Sequence, residues 1–186
     1  GVLKSINQFY NKELAKYKSL SKKCNDKHIT NRILKIHRKR NNKVRDFFHK
    51  TSRKIVNHCI ENDIGTIVVG YNEGWKQNIN IGKRNNQNFV SIPFLKLIQQ
   101  IKYKSKMVGI DVVRITEEFT SQTCSHCGIV KKSNRKHRGL YVCSECGLVL
   151  NADVNASKNI LQKGIPKSIW IGDRGRLSRP IVLKIS

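Results

Sequence analysis

The sequence predicts an α/β fold with an inserted zinc ribbon, and three patterns support this. A β-branched run, a helical stretch and a second β-branched run follow one another between residues 66 and 115. Two Cys-x-x-Cys pairs come next, and an Asn-rich segment then opens a last helix. We therefore expect a partial α/β domain with basic helices at 1–119, a zinc ribbon at 120–150, and a terminal helix and tail at 151–186.

The composition predicts a polyanionic partner. The 186 residues include 37 Lys and Arg against 12 Asp and Glu, a formal net charge of +25, and 38% of them are apolar. This apolar content is too high for a disordered polycation, whereas so much positive charge repels itself unless a polyanion neutralises it. We therefore expect nucleic acid as the partner. No apolar run approaches the ~18 residues that a membrane helix needs, so we expect no membrane partner.

The first 60 residues are predicted to be mainly helical and basic. Residues 1–7 have the composition of a strand remnant, and a basic amphipathic stretch follows. Apolar residues between 29 and 60 recur every three or four positions, which predicts one long helix whose apolar seam is interrupted at His37 and Arg40. Its other faces hold eleven Lys and Arg between residues 27 and 54 against one acid, Asp46. Such a surface either contacts nucleic acid or is merely solvated.

The central segment has the order strand, helix, strand. Residues 66–71 and 110–115 are the two β-branched runs, and the stretch between them is predicted to start a helix near Ser91 and Pro93 and to end it at Gly109. This order predicts a βαβ unit with two parallel strands and a right-handed crossover.

The cysteine module is predicted to hold one structural Zn²⁺. Fifteen residues separate the first pair from the second, a spacing that presents four thiolates tetrahedrally and leaves no open position for catalysis. The alternative is that they are redox thiols or unrelated core cysteines. With no sign of secretion, we expect a reducing cytosol and no disulfide framework. The four ligands are Cys124, Cys127, Cys143 and Cys146.

Three carboxylates stand next to structural landmarks in this basic chain. Glu117 and Glu118 follow the second strand, and Asp153 stands at the start of the last helix. If the ends of the ribbon lie close together, these side chains return to one neighbourhood and offer the hard oxygen ligands that Mg²⁺ needs to activate water in phosphodiester cleavage. The alternative is that Asp153 only caps its helix and that both glutamates are simply exposed.

Five segments together resemble the TnpB/OrfB family of transposon-encoded proteins: TSQTCSHCG (120–128), YVCSECG (141–147), NADVNASKNI (151–160), LKSINQFYN (3–11) and NNQNF (85–89). The resemblance implies an RNase H-like, RuvC-type nuclease domain with an inserted zinc ribbon. It also implies RNA-guided cleavage of DNA, with structural Zn²⁺, catalytic Mg²⁺, a guide RNA and target DNA. Members are commonly named transposases or transposase accessory proteins, and the family is ancestral to type V CRISPR effectors.

The resemblance implies roles for two of the carboxylates. The third metal-binding Asp of the family corresponds to Asp153. The middle Glu usually ends the first of the two strands, where this chain has Gly70, which cannot bind a metal. Some members place a Glu before the Thr-Ser segment instead, so Glu117 or Glu118 takes that role. Because adjacent residues in a strand face opposite sides, only one should face the site, and we favour Glu117.

The first Asp of the family has no counterpart here, since Glu13 is the only acid before Asp26. We therefore expect this chain to begin after the first three strands and the guide-RNA module, and to be inactive alone. The alternative is a non-catalytic zinc-ribbon remnant of a transposon that binds DNA or RNA. Under either interpretation, the residues expected to contact nucleic acid are Arg38, Lys39, Arg40, Lys43, Arg45, Arg53, Lys76, Lys83, Arg84, Arg135, Lys136 and Arg138.

Overall fold

The structure is a computed structural model that describes residues 1–24, 29–74, 82, 92–137 and 139–166. Within these residues every helix is too short or too polar to cross a membrane. The described residues divide into two compact units, those within 1–63 and 92–107, and those within 64–74 and 108–166. The elements are α1 (Val2–Cys24), α2 (Asn31–Glu61), β1 (Thr66–Gly70), α3 (Phe94–Lys106), β2 (Asp111–Ile115), a 3₁₀ turn (Lys132–Asn134), β3 (Arg135–His137), β4 (Leu140–Val142), β5 (Val149–Leu150) and α4 (Ala152–Gly164).

The first unit begins with a helix, so the predicted strand remnant at residues 1–7 is wrong. The backbone N–H of Ser5 donates to the carbonyl of Gly1 at 3.2 Å, which is the helical pattern. Asn7 is buried with 1% exposure, because the helix packs it against α2. Packing against α2, and not the local composition of residues 1–7, therefore determines that this segment is helical.

α2 runs unbroken for 31 residues, which confirms the predicted long helix. The side chain of Thr30 caps its first turn by accepting from the N–H of Ile33. The two polar interruptions of the seam lie where α1 supplies polar partners. Tyr10 OH lies 2.9 Å from His37 Nδ1, and Arg40 donates to the side-chain oxygen of Asn7. Their order along the two helices makes α1 and α2 an antiparallel hairpin.

α3 packs on α2 through a polar contact as well as an apolar one. Ile101 of α3 is buried, and so is Lys104, which is only 4% exposed. Lys104 Nζ donates to the carbonyl of His49 at 2.6 Å and to Ser52 Oγ at 2.7 Å. Burial, together with the positive charge of Arg53, lowers the pKa of Lys104.

The second unit is built on two parallel strands, as predicted. β1 pairs with β2 in a register that sets Thr66 opposite Asp111 and Gly70 opposite Ile115. α4 packs on both strands. A Cβ atom added to Gly164, the last residue of α4, would overlap the side chain of Val68, so a glycine is needed for this close approach. The handedness of the crossover stays a prediction.

The structure contains the predicted ribbon and, after its second cysteine pair, the predicted last helix, α4. β3, β4 and β5 form an antiparallel sheet in that order, with buried Tyr141 on β4. α4 begins after Asn151, whose side chain accepts from the N–H groups of Asp153 and Val154. The cap is therefore Asn151, and the carboxylate of Asp153 is not used to cap the helix.

Candidate functional site

The four predicted zinc ligands converge in the ribbon. Their sulfur atoms all lie within 4.8 Å of one another. Cys124 Sγ lies 3.7 Å from Cys146 Sγ, and Cys127 Sγ lies 3.6 Å from Cys143 Sγ. A tetrahedron of Zn–S bonds of about 2.3 Å has edges of ~3.8 Å, so these separations fit a four-thiolate zinc site.

Each pair of cysteines is followed by a glycine in the left-handed region. Gly128 has a φ of 76° and Gly147 a φ of 69°. In both turns the glycine N–H bonds back to the carbonyl of the first cysteine of its pair, Cys124 or Cys143. This conformation is strained for any residue with a Cβ, which explains the glycine after each pair.

The surroundings of the sulfur atoms set their protonation. The backbone N–H of Cys146 donates to Cys143 and lowers the pKa of the Cys143 thiol to about 6. The N–H of Ile129 favours the thiolate of Cys127, but burial and the neighbouring thiols outweigh it and raise the pKa of Cys127 to about 12. A metal ion bound by all four sulfurs has to displace the remaining protons.

Two buried asparagines hold the zinc knuckles, one from within the ribbon and one from α4, and sequence reasoning missed both. Asn134 is fully buried, lies with Nδ2 3.7 Å from Cys143 Sγ, and accepts from the N–H of Ser144. Asn155 of α4, also fully buried, accepts from the N–H of Ser125 in the first knuckle at 2.9 Å and donates to the carbonyl of Thr123 at 2.7 Å. The start of α4 is thus fastened to the first knuckle.

The same face of α4 continues this contact toward the sheet. Asn159 donates to the carbonyls of Thr120 and Thr123, and Lys163 donates to the carbonyl of Glu118 at 2.5 Å. Positions 155, 159 and 163 are four apart, so they share one side of the helix. The spacing was visible in the sequence, but polar residues at this spacing normally indicate a solvated face.

Glu117 and Glu118 have different surroundings. A Cβ built on Gly70 would lie 2.5 Å from Glu117 Cγ and 2.7 Å from Glu117 Oε1, so the Glu117 side chain lies over the end of β1. The Glu117 N–H donates to the side chain of Asn72 at 2.8 Å, which anchors its backbone just beyond β1. For Glu118, the main-chain carbonyl accepts a hydrogen bond from Lys163. Both side chains belong to exposed residues.

Asp153 is exposed in the first turn of α4. Its carboxylate lies 3.3 Å from the guanidinium of Arg135 in the ribbon. Gly164 is eleven positions after Asp153, so both lie on nearly the same face of the helix. Gly164 packs on Val68, whose side chain points to the same side of β1 as a Cβ on Gly70 would. Within the described residues, the four cysteines are the one group of three or more metal-ligating side chains close enough to share an ion.

The predicted nucleic-acid residues fall into three groups. Arg38, Lys39, Lys43, Arg45, Arg53 and Lys136 are exposed. Arg40 is half-buried against Asn7, and Arg135 is half-buried beside Asp153, so both already have partners within the chain. The remaining four, Lys76, Lys83, Arg84 and Arg138, lie outside the described residues.

Two family profiles match the chain. The profile of the OrfB_IS605 family, described as "Probable transposase", matches residues 1–76. The profile described as "Cas12f1-like, TNB domain" matches residues 94–160, which include the four cysteines and Asp153.

Curated relatives point to the same group. The chain is 38% identical over 121 residues to the "CRISPR-associated endodeoxyribonuclease Cas12f1" of Sulfoacidibacillus thermotolerans, an alignment that covers 65% of this chain and 27% of that protein. It is 30% identical over 139 residues to "TnpB-like protein L79" of Acanthamoeba polyphaga mimivirus, covering 75% of this chain and 26% of that protein. The chain thus spans about a quarter of the length of these relatives.

Solved structures share the fold. The Cas12f1 chain in the cryo-EM structure of a Cas12f1–sgRNA–target DNA complex matches with a TM-score of 0.60 and 22% identity, over 86% of this chain and 42% of that one. A chain of the CRISPR-Cas12f ternary complex matches with a TM-score of 0.59 and 27% identity, over 86% of this chain and 33% of that one. These neighbours confirm the predicted mixed helix and strand fold of the RuvC-type group.

Proposed function

Because the chain belongs to the TnpB/OrfB family, we propose that it is the carboxyl-terminal part of a transposon-encoded, RNA-guided DNA endonuclease that cuts phosphodiesters by a metal-dependent mechanism of the RuvC type. The observation that carries the proposal is the position of Glu117. Its carboxylate lies over Gly70 at the carboxyl end of β1, on the side of the sheet where α4 packs.

Glu117 and Asp153 are the proposed metal ligands of this chain. Both carboxylates are exposed. Glu117 lies on the side of β1 that α4 covers, and Asp153 lies on the face of α4 that contacts β1, about 16 Å along the helix axis from Gly164. Mg²⁺ prefers a few carboxylate oxygens and keeps room for water and phosphate oxygens. When bound, the metal activates water and stabilises the leaving oxygen. Glu118, whose carbonyl is held by Lys163, supplies no ligand in this proposal.

Neighbouring residues position the two carboxylates. Asn72 holds the backbone of Glu117, and Asn155 fastens the helix turn that bears Asp153 to the first zinc knuckle. Arg135 neutralises Asp153 in the absence of metal. With Asp153 as a metal ligand, the Arg135 guanidinium would be available to contact a phosphate oxygen. Zn²⁺ in the ribbon is structural, since four cysteines leave no open position.

The proposed partners are a guide RNA and target DNA in the cytoplasm. Two solved neighbours are Cas12f proteins, one of them named as bound to sgRNA and target DNA. The exposed basic residues of α2 support the same partner chemistry here. Binding of this kind is expected to weaken steeply with salt, because each neutralised phosphate releases counterions.

We further propose that these 186 residues cut DNA only together with a segment that adds another carboxylate. Within the described part of the chain, no three carboxylates lie close enough together to hold one metal ion. The test is a cleavage assay with Mg²⁺ on the chain alone and on the chain fused behind the amino-terminal part of a TnpB-like relative. We expect cleavage by the fusion only, reduced at least about 100-fold by Asp153→Asn.

Two outcomes would contradict this function. Cleavage by the fusion that survives Asp153→Asn would show that this carboxylate is dispensable. A fusion that folds, binds zinc and binds nucleic acid tightly but never cuts would favour the alternative, a non-catalytic zinc-ribbon protein that binds DNA or RNA. Robust cleavage by the 186 residues alone, abolished by Asp153→Asn, would overturn only the need for an added segment.

A further inference from the structure

A groove with a volume of about 450 Å³ lies between α1 and α2. One wall is the face of α1 that carries Ile6, Phe9 and Glu13, and the other includes three lysines of α2, Lys35, Lys39 and Lys43. This volume lies in the range of ligand sites. The helical hairpin therefore has a recess of definite shape within its cationic surface.

The cations around this groove are of two kinds. The arginines are held by α1: Arg32 lies 5.1 Å from the centre of the Tyr17 ring and donates to its hydroxyl, and Arg40 donates to Asn7. The three lysines are exposed, and among the described residues they have no hydrogen bond or ion pair within the chain. The arginines thus fix the walls, while the lysine ammonium groups face solvent.

An exposed aromatic ring lies beside the lysine row. Phe9 is 59% exposed. Its neighbour Tyr10 contacts His37, and Asn7 contacts Arg40, so in the antiparallel hairpin Phe9 lies near the level of Lys39. Glu13 is the single acid among the groove residues. The groove therefore combines a solvent-exposed aromatic ring, that of Phe9, with an excess of positive charge.

This combination fits a single strand of nucleic acid. The lysines are four residues apart, so they recur about every 6 Å along the helix, a step that suits successive phosphates of an extended strand. An aromatic ring offers a stacking platform to an unpaired base of any type, whereas a duplex keeps its bases stacked inside. An acidic peptide would form ion pairs with the lysines, but it has no base to stack on the Phe9 ring.

We propose that this groove binds a short single-stranded segment of RNA or DNA, with its phosphates on Lys35, Lys39 and Lys43 and one base stacked on Phe9. The proposal rests on the proposed function only in its choice of nucleic acid as partner. The basic composition alone predicts neither the position of this site, nor that the bound nucleic acid is single-stranded, nor that a base stacks on Phe9.

The test measures fluorescence anisotropy of labelled ten-nucleotide RNA and DNA strands with the full chain at several salt concentrations. We expect Phe9→Ala and Phe9→Leu each to weaken binding about tenfold, because both remove the stacking ring. Lys39→Gln should lower the slope of log affinity against log salt by about 0.7, the value of one phosphate contact to a single strand. The matched control, Lys18→Gln at an exposed position of α1 outside the groove, should leave affinity and slope unchanged.

Each result decides the proposal. Preference for RNA supports a guide-strand segment and preference for DNA a DNA strand, and both support the groove. Tighter binding of a duplex that is unaffected by Phe9→Ala overturns it, and so does competition by polyglutamate that tolerates Phe9→Leu. Phe9→Ala should leave Mn²⁺ binding by the zinc-loaded chain unchanged, so loss of the groove and loss of the proposed metal site are distinguishable.

Discussion

The side chain of Glu117 occupies the space next to Gly70 that a larger residue at position 70 would need. A Cβ on Gly70 would meet Glu117 Cγ at 2.5 Å, Oε1 at 2.7 Å and Cδ at 3.0 Å. A carboxylate therefore stands at the end of β1 although the strand itself ends in glycine.

Gly70→Ala tests this relationship. The new methyl group should displace the Glu117 side chain, which is free to move because the residue is exposed. We expect the melting temperature to change by no more than a few degrees, whereas Mn²⁺ binding, measured by calorimetry, should weaken at least fivefold. The matched control is Gly65→Ala, since a Cβ on Gly65 meets nothing within 4 Å. Equal effects of the two substitutions would contradict the account.

Removal of the ribbon metal should unfold the ribbon. Its buried hydrophobic cluster consists of Cys124, Tyr141, Cys143 and Ala152, so little apolar burial remains to hold it without the ion. We expect one zinc per chain by mass spectrometry under native conditions, and loss of amide protection at Tyr141 in excess chelator. Cys143→Ser should reproduce the loss, whereas Cys24→Ser, an exposed cysteine outside the ribbon, should not.

Asn155→Ala tests whether the first knuckle holds α4. The substitution leaves the N–H of Ser125 without its partner and removes one donor from the carbonyl of Thr123, and the side chain is fully buried. We expect the free energy of unfolding to fall by about 2 kcal/mol, measured by denaturant titration of the zinc-loaded chain. Ser157→Ala, on an exposed position of the same helix, should cost less than about 0.5 kcal/mol. Similar losses for both variants would argue against a specific role of Asn155.

Lys104→Met tests the buried amine between α2 and α3. The charge is desolvated, and Ser52 and His49 keep a hydrogen bond to each other without it, so we expect the free energy of unfolding to be unchanged or raised by up to about 2 kcal/mol. Lys106→Met, at an exposed position of α3, is the control. A loss above about 1 kcal/mol would show that the amine stabilises the contact.

The same residue predicts a pH dependence. The pKa of Lys104 is lower in the folded chain than its ordinary value of 10.5, so near the folded pKa the unfolded chain binds more protons. Stability due to this group therefore rises as pH increases toward 10.5. As the pH approaches 10.5 from below, unfolding experiments should show the original chain gaining stability relative to Lys104→Met. A constant difference over this range would contradict the lowered pKa.

Periodicity and spacing predicted the elements that depend on local pattern. The long helix was recognisable because Ile33, Val44 and Phe48 lie on one buried face, and the two strands because β-branched residues cluster in short runs. The ribbon was recognisable because four cysteines at this spacing are typical of a zinc site. The resemblance then indicated Asp153 and a nearby glutamate.

The rest depended on contacts that no local pattern encodes. His37 and Arg40 interrupt an apolar seam, but Tyr10 and Asn7 of another helix supply their partners. The helix at residues 2–24 was missed at its start for the same reason. The role of Asn155 was missed because a sequence does not distinguish a buried asparagine from a solvent-exposed one. The position of Glu117 over Gly70 required the parallel register of two strands that lie 45 residues apart along the chain.

Glu117 and Asp153, and not Glu118, are the proposed ligands of the catalytic metal. The most direct measurement is Mn²⁺ binding to the zinc-loaded chain, followed by electron paramagnetic resonance of the free ion. The account predicts that Glu117→Gln and Asp153→Asn each weaken Mn²⁺ binding at least about tenfold, and that Glu118→Gln leaves it unchanged. Absence of Mn²⁺ binding by the original chain, or a loss on Glu118→Gln as large as that on Glu117→Gln, would contradict it.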